Sequence, residues 1–153
     1  MHPQADVGTA PAADAVPADV PADVPADVLA RVRSEVDAVF GAYERALAAH
    51  DVPAVDALFH DSPATRRFGV ADEQQGAAAV RRWRRRSPGV PPDRRLEATQ
   101  IQVLTPDVAV VTTRFGYGAR PATGRQTQVW LRTEAGWRIV SAHVSEPAAP
   151  PAG

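Results

Sequence analysis

The chain has 153 residues and a net charge of −1, which excludes a large multidomain protein and argues against a general polyanion binder. It contains no cysteine, which excludes disulfides and thiolate metal sites, and its 17 basic residues are all arginine, which excludes lysine Schiff-base chemistry. No apolar run approaches the roughly 20 residues of a membrane span and no signal-peptide pattern opens the chain, so the cytoplasm is the expected location.

The N-terminal stretch has low complexity, with a Pro-Ala-Asp-Val repeat that begins at Pro17. Proline at this spacing blocks a helix, and the stretch has too few large apolar side chains to fold alone. We therefore expect residues 1–26 to be a disordered tail, residues 27–146 to form one α+β domain, and residues 147–153 to be a second disordered tail. A docking motif is the alternative for the repeat.

Three helices are predicted in the first half of the domain. Apolar residues at helical spacing predict a first helix over 28–50. A short second helix, over 54–59, follows Pro53, which suits a first-turn position. A third helix is expected to begin at Gly76 and to end at the proline-rich segment 87–92.

The third helix carries a cluster of arginines: Arg81, Arg82, Arg84, Arg85 and Arg86. We expect them to form a solvated helix face or a surface that meets an anionic partner. Nucleic-acid binding is not expected, because the net charge is near zero and no nucleic-acid motif accompanies the cluster.

The rest of the chain has the period of two that is typical of strands. A short strand is predicted over 65–70, followed by four longer ones over 95–104, 108–117, 126–132 and 137–145. Runs of helices followed by runs of strands indicate the α+β class. Three helices against a curved antiparallel sheet would form a cone-shaped roll with a pocket at its open end.

The last two strands are predicted to form a β-hairpin over Gly124–Ser145, and its first strand carries candidate substrate-binding residues. Gln126, Gln128 and Trp130 lie on one face of this strand. The two glutamines could bind an amide-rich ligand or form hydrogen bonds across a dimer interface. Trp130 could likewise contact a ligand or belong to the core or an interface.

The second strand of the hairpin adds His143, which we expect on the same face as Trp137 and Ile139. There His143 would be either a hydrogen-bonded core residue or a group for proton transfer to a substrate. Val140 and Val144 would occupy the opposite face, so both faces of this strand would be largely apolar. Because each face then needs a cover, we expect a homodimer.

Several segments together resemble one protein family: 40–43, 58–59, 63–69, 83–84, 124–130 and 136–145. They resemble the AtzH-like family, which includes a protein of oxalurate catabolism and belongs to the nuclear-transport-factor-2-like, SnoaL-like superfamily. The resemblance covers about residues 28–146 and implies a cone-shaped α+β roll. It also implies a role beside amidase-signature enzymes in the breakdown of nitrogen-rich compounds.

The resemblance further implies a catalytic pair. One family member is implicated as an amidohydrolase that converts 1,3-dicarboxyurea to allophanate, and its catalytic tyrosine and arginine match Tyr43 and Arg67 here. This chain departs from the family pattern near the pocket mouth, where Asp72 replaces the usual glutamate and a different stretch follows at 73–75. These departures leave the exact substrate open.

The chemistry of these two residues suits such a substrate. A guanidinium is planar and forks onto a carboxylate, so Arg67 could anchor a carboxylated urea. Strand alternation sends its neighbour Arg66 to the opposite face, so only one of the two can point inward. Tyr43 could act as an acid, a base or an orienting donor, and a neighbouring arginine would favour its phenolate. Alternatively, Tyr43 simply buries its ring.

No metal or cofactor is expected. His2, His50, His60 and His143 show no zinc-like spacing, and neither a phosphate-binding glycine loop nor a nucleophile elbow occurs. With the resemblance, the leading hypothesis is a small amidohydrolase-like protein that acts on a carboxylated urea or ureido compound. The alternative is a non-catalytic accessory subunit that binds substrate for an amidase-signature partner.

Overall fold

The structure is a computed structural model that describes residues 23–148. The predicted disordered tails, residues 1–26 and 147–153, lie mostly outside the described residues. Only 23–26 and 147–148 of these tails are described. The first helix already begins at Ala26, so the folded domain starts within the last repeat. No helix in the described part of the chain is long and apolar enough to cross a membrane.

Three helices lie before the main strands: α1 Ala26–Ala48, α2 Val52–Ala57 and α3 Ala77–Arg86. In α1, the buried residues Val32, Val36, Phe40 and Tyr43 recur every three or four positions and form one apolar stripe. The predicted helices are therefore present, although α2 begins two residues earlier than expected.

Local signals explain where the two shorter helices begin and end. The Asp51 carboxylate accepts a hydrogen bond from the Ala54 amide at 3.1 Å and caps α2. Gly76 precedes α3 with φ +87°, a conformation that glycine adopts at no steric cost. Ser87 is extended after α3, as expected for a residue that precedes a proline.

Six strands form one sheet: β1 Arg66–Phe68, β2 Glu73–Gln75, β3 Arg94–Thr105, β4 Val108–Tyr117, β5 Gly124–Thr133 and β6 Gly136–Ser145. Their order is β2-β1-β6-β5-β4-β3. β1 pairs parallel to β6, whereas the other neighbours are antiparallel, so the sheet is mixed rather than wholly antiparallel.

Strand β2 was not predicted, because three polar residues have little intrinsic strand preference. Pairing with β1 stabilises it instead, together with cross-strand contacts between side chains. Arg66 Nη1 donates to Gln75 Oε1 at 2.6 Å, and Arg67 Nη1 donates to Gln74 Oε1 at 2.9 Å.

A β-bulge at Val140 changes the face on which the end of β6 lies. Val129 pairs with Ser141 and Trp130 pairs with Ile139, so Val140 has no partner on β5. The side-chain alternation therefore reverses at this point. Trp137 and Ile139 are buried on the inner face, but His143 is exposed on the outer face. The prediction that His143 shares the face of Trp137 and Ile139 is wrong.

Because of this bulge, the two faces of β6 are not both apolar, so β6 does not need a second copy of the chain to cover its outer face. Val144 lines the interior of the cone together with Ala142, whereas Arg138 and His143 lie outside. The outer face of β6 is thus largely polar. Homodimer formation stays a prediction, and the apolar outer residues that could support it belong to the neighbouring strands.

The core lies between α1 and the inner face of the curved sheet. Fully buried side chains from both layers meet there, including Val36, Trp130 and Ile139. At one end, Trp137 Nε1 donates to Glu35 Oε2 at 3.0 Å and closes the cone. The opposite end of the cone contains a cavity.

Candidate active site

A cavity of about 240 Å³ lies among the three helices, β1 and the inner face of β4 to β6. This volume is below the roughly 300–1,000 Å³ that is typical of sites for drug-sized ligands, so it favours a small metabolite. The apolar walls include Leu47 of α1, Val55 of α2 and Phe59, which follows α2. The polar lining includes two glutamines, one buried tyrosine and three arginines, and further polar side chains belong to His50, Asp72, Ser87, Tyr117 and Glu146.

Tyr43 lies on the buried stripe of α1 and reaches the cavity with only 6% of its surface exposed. Its ring packs edge-on against Trp130, with the centroids 6.5 Å apart. Burial raises the pKa of Tyr43, and the opposing charge of Arg84 does not reverse this effect. The neighbouring arginines favour the phenolate, as expected, but burial outweighs them, so the neutral phenol predominates at neutral pH.

Arg67 points into the cavity from β1, and its neighbour Arg66 lies on the other face. The Arg67 guanidinium stacks on the Trp83 ring at 3.6 Å from the centroid. Its Nη1 donates to Asp72 at 2.6 Å and to Gln74 at 2.9 Å. Within residues 23–148, its other two nitrogens donate to no protein atom, so one edge of the fork is open to a ligand.

Arg94 is also buried, and two of its three nitrogens contact protein groups. It forms a two-point contact with Glu44, at 3.2 and 3.3 Å, and donates to Gln126 Oε1 at 3.0 Å. Gln126 Nε2 donates to Glu44 in turn, so both ends of this amide are used. Burial lowers the pKa of Arg94, but Glu44 outweighs that effect and the net shift is upward. This triad is therefore a rigid wall of the cavity.

Gln128 is the glutamine with a group left for a ligand. Trp130 Nε1 can only donate, and it lies 3.1 Å from the Gln128 side-chain oxygen. The amide nitrogen of Gln128 consequently remains as a donor, and among the described residues it contacts no acceptor. Trp130 itself is fully buried beneath the cavity wall and supports both Gln128 and Tyr43.

Arg84 was expected to be solvated with the other arginines of α3, and this expectation is wrong. The residue is 6% exposed, lines the cavity and contacts Asp56 through Nε at 2.8 Å. The sequence contained a signal for this position, since Arg84 follows the buried residues Ala77 and Val80 at helical spacing. An arginine on an apolar stripe is seldom buried without a specific partner or a ligand.

The six predicted site residues therefore have different positions. Tyr43, Arg67, Gln126 and Gln128 line the cavity, whereas Trp130 lies behind its wall. His143 lies outside the cone, where its ring is 5.5 Å from that of Phe68. No group of three or more histidine, aspartate or glutamate side chains within residues 23–148 is arranged to hold a metal ion.

Comparisons with known proteins agree with this architecture. The model of the AtzH-like family matches residues 26–149. A cystatin-like fold protein from Burkholderia xenovorans LB400 is 43% identical, with 82% of this chain and 95% of that chain covered and a TM-score of 0.73. A protein of unknown function from the DUF3225 family of Pectobacterium atrosepticum SCRI1043 is 39% identical, with 81% and 94% covered and a TM-score of 0.72.

More distant structures share the fold alone. A nuclear-transport-factor-2-like protein of unknown function from Pseudomonas putida KT2440 is 18% identical over 80% of this chain and 91% of that chain, with a TM-score of 0.66. No curated protein matches the chain. The α+β, nuclear-transport-factor-2-like fold class predicted from the sequence is confirmed.

Proposed function

Because the chain belongs to the AtzH-like family, we propose that its cavity binds a small carboxylated urea or ureido compound and hydrolyses a C–N bond in it. A compound like 1,3-dicarboxyurea is the proposed substrate. One observation carries the proposal: Tyr43 and Arg67, which match the family's catalytic pair, line the same small cavity.

The open edge of Arg67 suits a carboxylate of the substrate. Two parallel N–H···O contacts from one guanidinium would hold the carboxylate in a defined plane. Trp83 restrains the plane of the guanidinium by stacking on it, and Asp72 restrains it by accepting a hydrogen bond from Nη1. Gln128 Nε2 is placed to donate to an oxygen of the urea group.

Tyr43 would supply the proton that the leaving nitrogen needs. In the proposed reaction, water adds to the carboxylate carbon and the bond from this carbon to the urea nitrogen breaks. The nitrogen takes the phenolic proton, and a proton of the water returns to Tyr43. The products of 1,3-dicarboxyurea are then allophanate and bicarbonate. Burial of Tyr43 favours this role, because it keeps the phenol protonated at neutral pH.

The test is turnover of freshly prepared 1,3-dicarboxyurea by the purified protein, measured as allophanate and bicarbonate above the rate without protein. Replacing Arg67 by Ala should lower kcat/KM by about 10- to 150-fold, which corresponds to losing about 1.5–3 kcal/mol of charge-assisted hydrogen bonding. The matched control is Arg66→Ala, which removes the neighbouring arginine from the other face. Equal losses in both variants would contradict the assignment of Arg67.

The accessory role supplies the other outcome of this assay. If the folded wild-type protein released no product but co-purified with an amidase-signature enzyme from its own cells, it would be a binding subunit rather than an enzyme. In that case, Arg67 and Gln128 would still contact the bound compound, but Tyr43 would have no catalytic role.

We also propose that two copies pair through the outer face of the sheet. Val110 and Val129 are directly opposite each other on β4 and β5, and Leu131 is opposite Val108. All four are only partly buried in the single chain, and they lie on central strands. Sedimentation should show a dimer at micromolar concentration, and Leu131→Arg should shift it to the monomer. A wild-type monomer would contradict the proposal.

The cytoplasmic location expected from the sequence stays a prediction. Fractionation of cells that produce the protein, with detection in each compartment, would test it.

A further inference from the structure

The most unusual group in the cavity wall is the guanidinium of Arg84. Its Nη2 is buried and has no hydrogen-bond partner in the described part of the chain, although the residue is charged and only 6% exposed. A buried donor that lacks an acceptor is costly, and a charged one especially so. Nη1 also donates to no protein atom among residues 23–148, and Arg84 lines the cavity, so a ligand can approach this end of the guanidinium.

The contacts of Arg84 leave its end free. Asp56 contacts only Nε, from the side, at 2.8 Å. Phe59 and Trp83, both of which line the cavity, lie near the guanidinium carbon, at 4.8 and 5.5 Å from their ring centroids. Arg94 differs, because two of its three nitrogens, Nε and Nη2, contact Glu44 and Gln126.

Arg67 and Arg84 share one aromatic neighbour, which limits the distance between them. Their guanidinium carbons lie 3.6 and 5.5 Å from the centroid of Trp83, so their separation cannot exceed the sum of these distances, about 9 Å. Burial lowers the pKa of Arg67, and the charge of Arg84 adds to this effect to a smaller extent. Asp72 raises the pKa but does not reverse the net shift. Asp72 and Asp56 each form an ion pair with one of these cations, and an anionic ligand that contacts both arginines would stabilise them further.

We propose that Arg84 forms a second anion subsite, so that the ligand of this cavity is a small dianion with one carboxylate on Arg67 and the other on Arg84. This inference rests on the proposed function for the carboxylate at Arg67 and adds a second anchor. It gives the cavity a means to select dicarboxylated over monocarboxylated compounds, because a monoanion would leave the remaining nitrogens of one guanidinium without an acceptor.

The test compares dianions with isosteres that lack one charge. Succinate and glutarate are paired with 3-nitropropanoate and 4-nitrobutanoate, since a nitro group has the shape of a carboxylate without its charge. Affinities are measured by titration calorimetry at pH 7 and fixed ionic strength. The wild-type protein should bind the better dianion about tenfold or more tightly than its nitro isostere, as expected for one additional charge-assisted contact.

Variants at Arg84 should abolish this preference. In Arg84→Gln, the affinity for the dianion should fall to within about twofold of that for the isostere, whose own affinity changes little. Because Arg84→Gln leaves Asp56 unpaired, the double variant Asp56→Asn/Arg84→Gln provides a second protein in which both charges of the buried pair are removed. The matched control is Arg85→Gln, an exposed arginine on the same helix, which should keep the wild-type preference.

Two outcomes would overturn the inference: no preference for the dianion in the wild-type protein, including no binding of either compound, or a preference that persists without Arg84. None of the four probes contains a urea C–N bond, so the measurement does not depend on catalysis. A protein that selects dianions through Arg84 but forms no allophanate would retain the subsite and refute the hydrolytic function. Turnover of 1,3-dicarboxyurea without an Arg84-dependent preference for dianions would support the hydrolytic function and refute the second anion subsite.

Discussion

The Tyr43→Phe variant is expected to lower kcat on 1,3-dicarboxyurea by about 10²- to 10⁴-fold, the usual contribution of a positioned proton donor. The substitution keeps the buried ring and its edge-on contact with Trp130. It removes a hydroxyl that donates to no protein atom among residues 23–148. The free energy of unfolding should consequently change by less than about 1 kcal/mol.

The control for Tyr43→Phe is the same change at the other tyrosine of the chain, Tyr117, which lies at the edge of the cavity and is less buried. Tyr117→Phe should lower kcat by less than about tenfold, since the Tyr117 hydroxyl transfers no proton in the proposed reaction. Losses of similar size in the two variants, or full activity in Tyr43→Phe, would refute the role of Tyr43 as proton donor.

The pH dependence of the wild-type rate distinguishes the acid role of Tyr43 from a base role. Burial raises the pKa of Tyr43 above its ordinary value, despite the opposing charge of Arg84. If the protonated phenol is the active form, the rate should not fall through this group until the pH exceeds about 10. If the phenolate were the active form, the rate would instead rise with pH between 7 and 9.

The Asp56→Ala variant is expected to lower the free energy of unfolding by about 3–5 kcal/mol, the usual effect of removing one partner from a buried ion pair. Asp56 and Arg84 are 2.8 Å apart, and their side chains are 12% and 7% exposed. Without Asp56, the Arg84 guanidinium would have no acceptor among residues 23–148. Urea unfolding followed by tryptophan fluorescence would measure the change.

An exposed ion pair that involves another arginine of α3 provides the control for Asp56→Ala. Arg81 and Asp61 are 3.1 Å apart, but their side chains are 38% and 84% exposed, so Asp61→Ala should cost less than about 1 kcal/mol. The double variant Asp56→Ala/Arg84→Met should recover much of the lost stability, because it removes the uncompensated charge. If Asp56→Ala and Asp61→Ala lowered the free energy of unfolding by the same amount, Arg84 would not be a desolvated cation.

The hairpin Gly124–Ser145 shows how far the sequence led and where it stopped. Period-two alternation placed Gln126, Gln128 and Trp130 on one inner face, as observed. The same alternation applied to β6 put His143 on the wrong face. A bulge adds one residue without changing the composition of the strand, so it is visible only in the pairing with β5.

The arginines of the candidate site illustrate a second limit. Alternation along β1 separated Arg66 from Arg67, but it left open which of them faces inward. On α3, Arg84 lies among four other arginines, and only the packing of α3 against α2 brings it to Asp56, 28 residues earlier. The burial of one arginine in such a run depends on contacts between distant segments.

The sequence by itself determined the order and type of the main elements, the fold class and the resemblance that identified Tyr43 and Arg67. These features follow from local periodicity, turn residues and short motifs, which are properties of neighbouring residues. Only the tertiary structure decided the parallel pairing of β1 with β6, the outward position of His143 and the convergence of Arg67 and Arg84 on one cavity. Each of these depends on register and burial, which are set when segments far apart in the chain pack together.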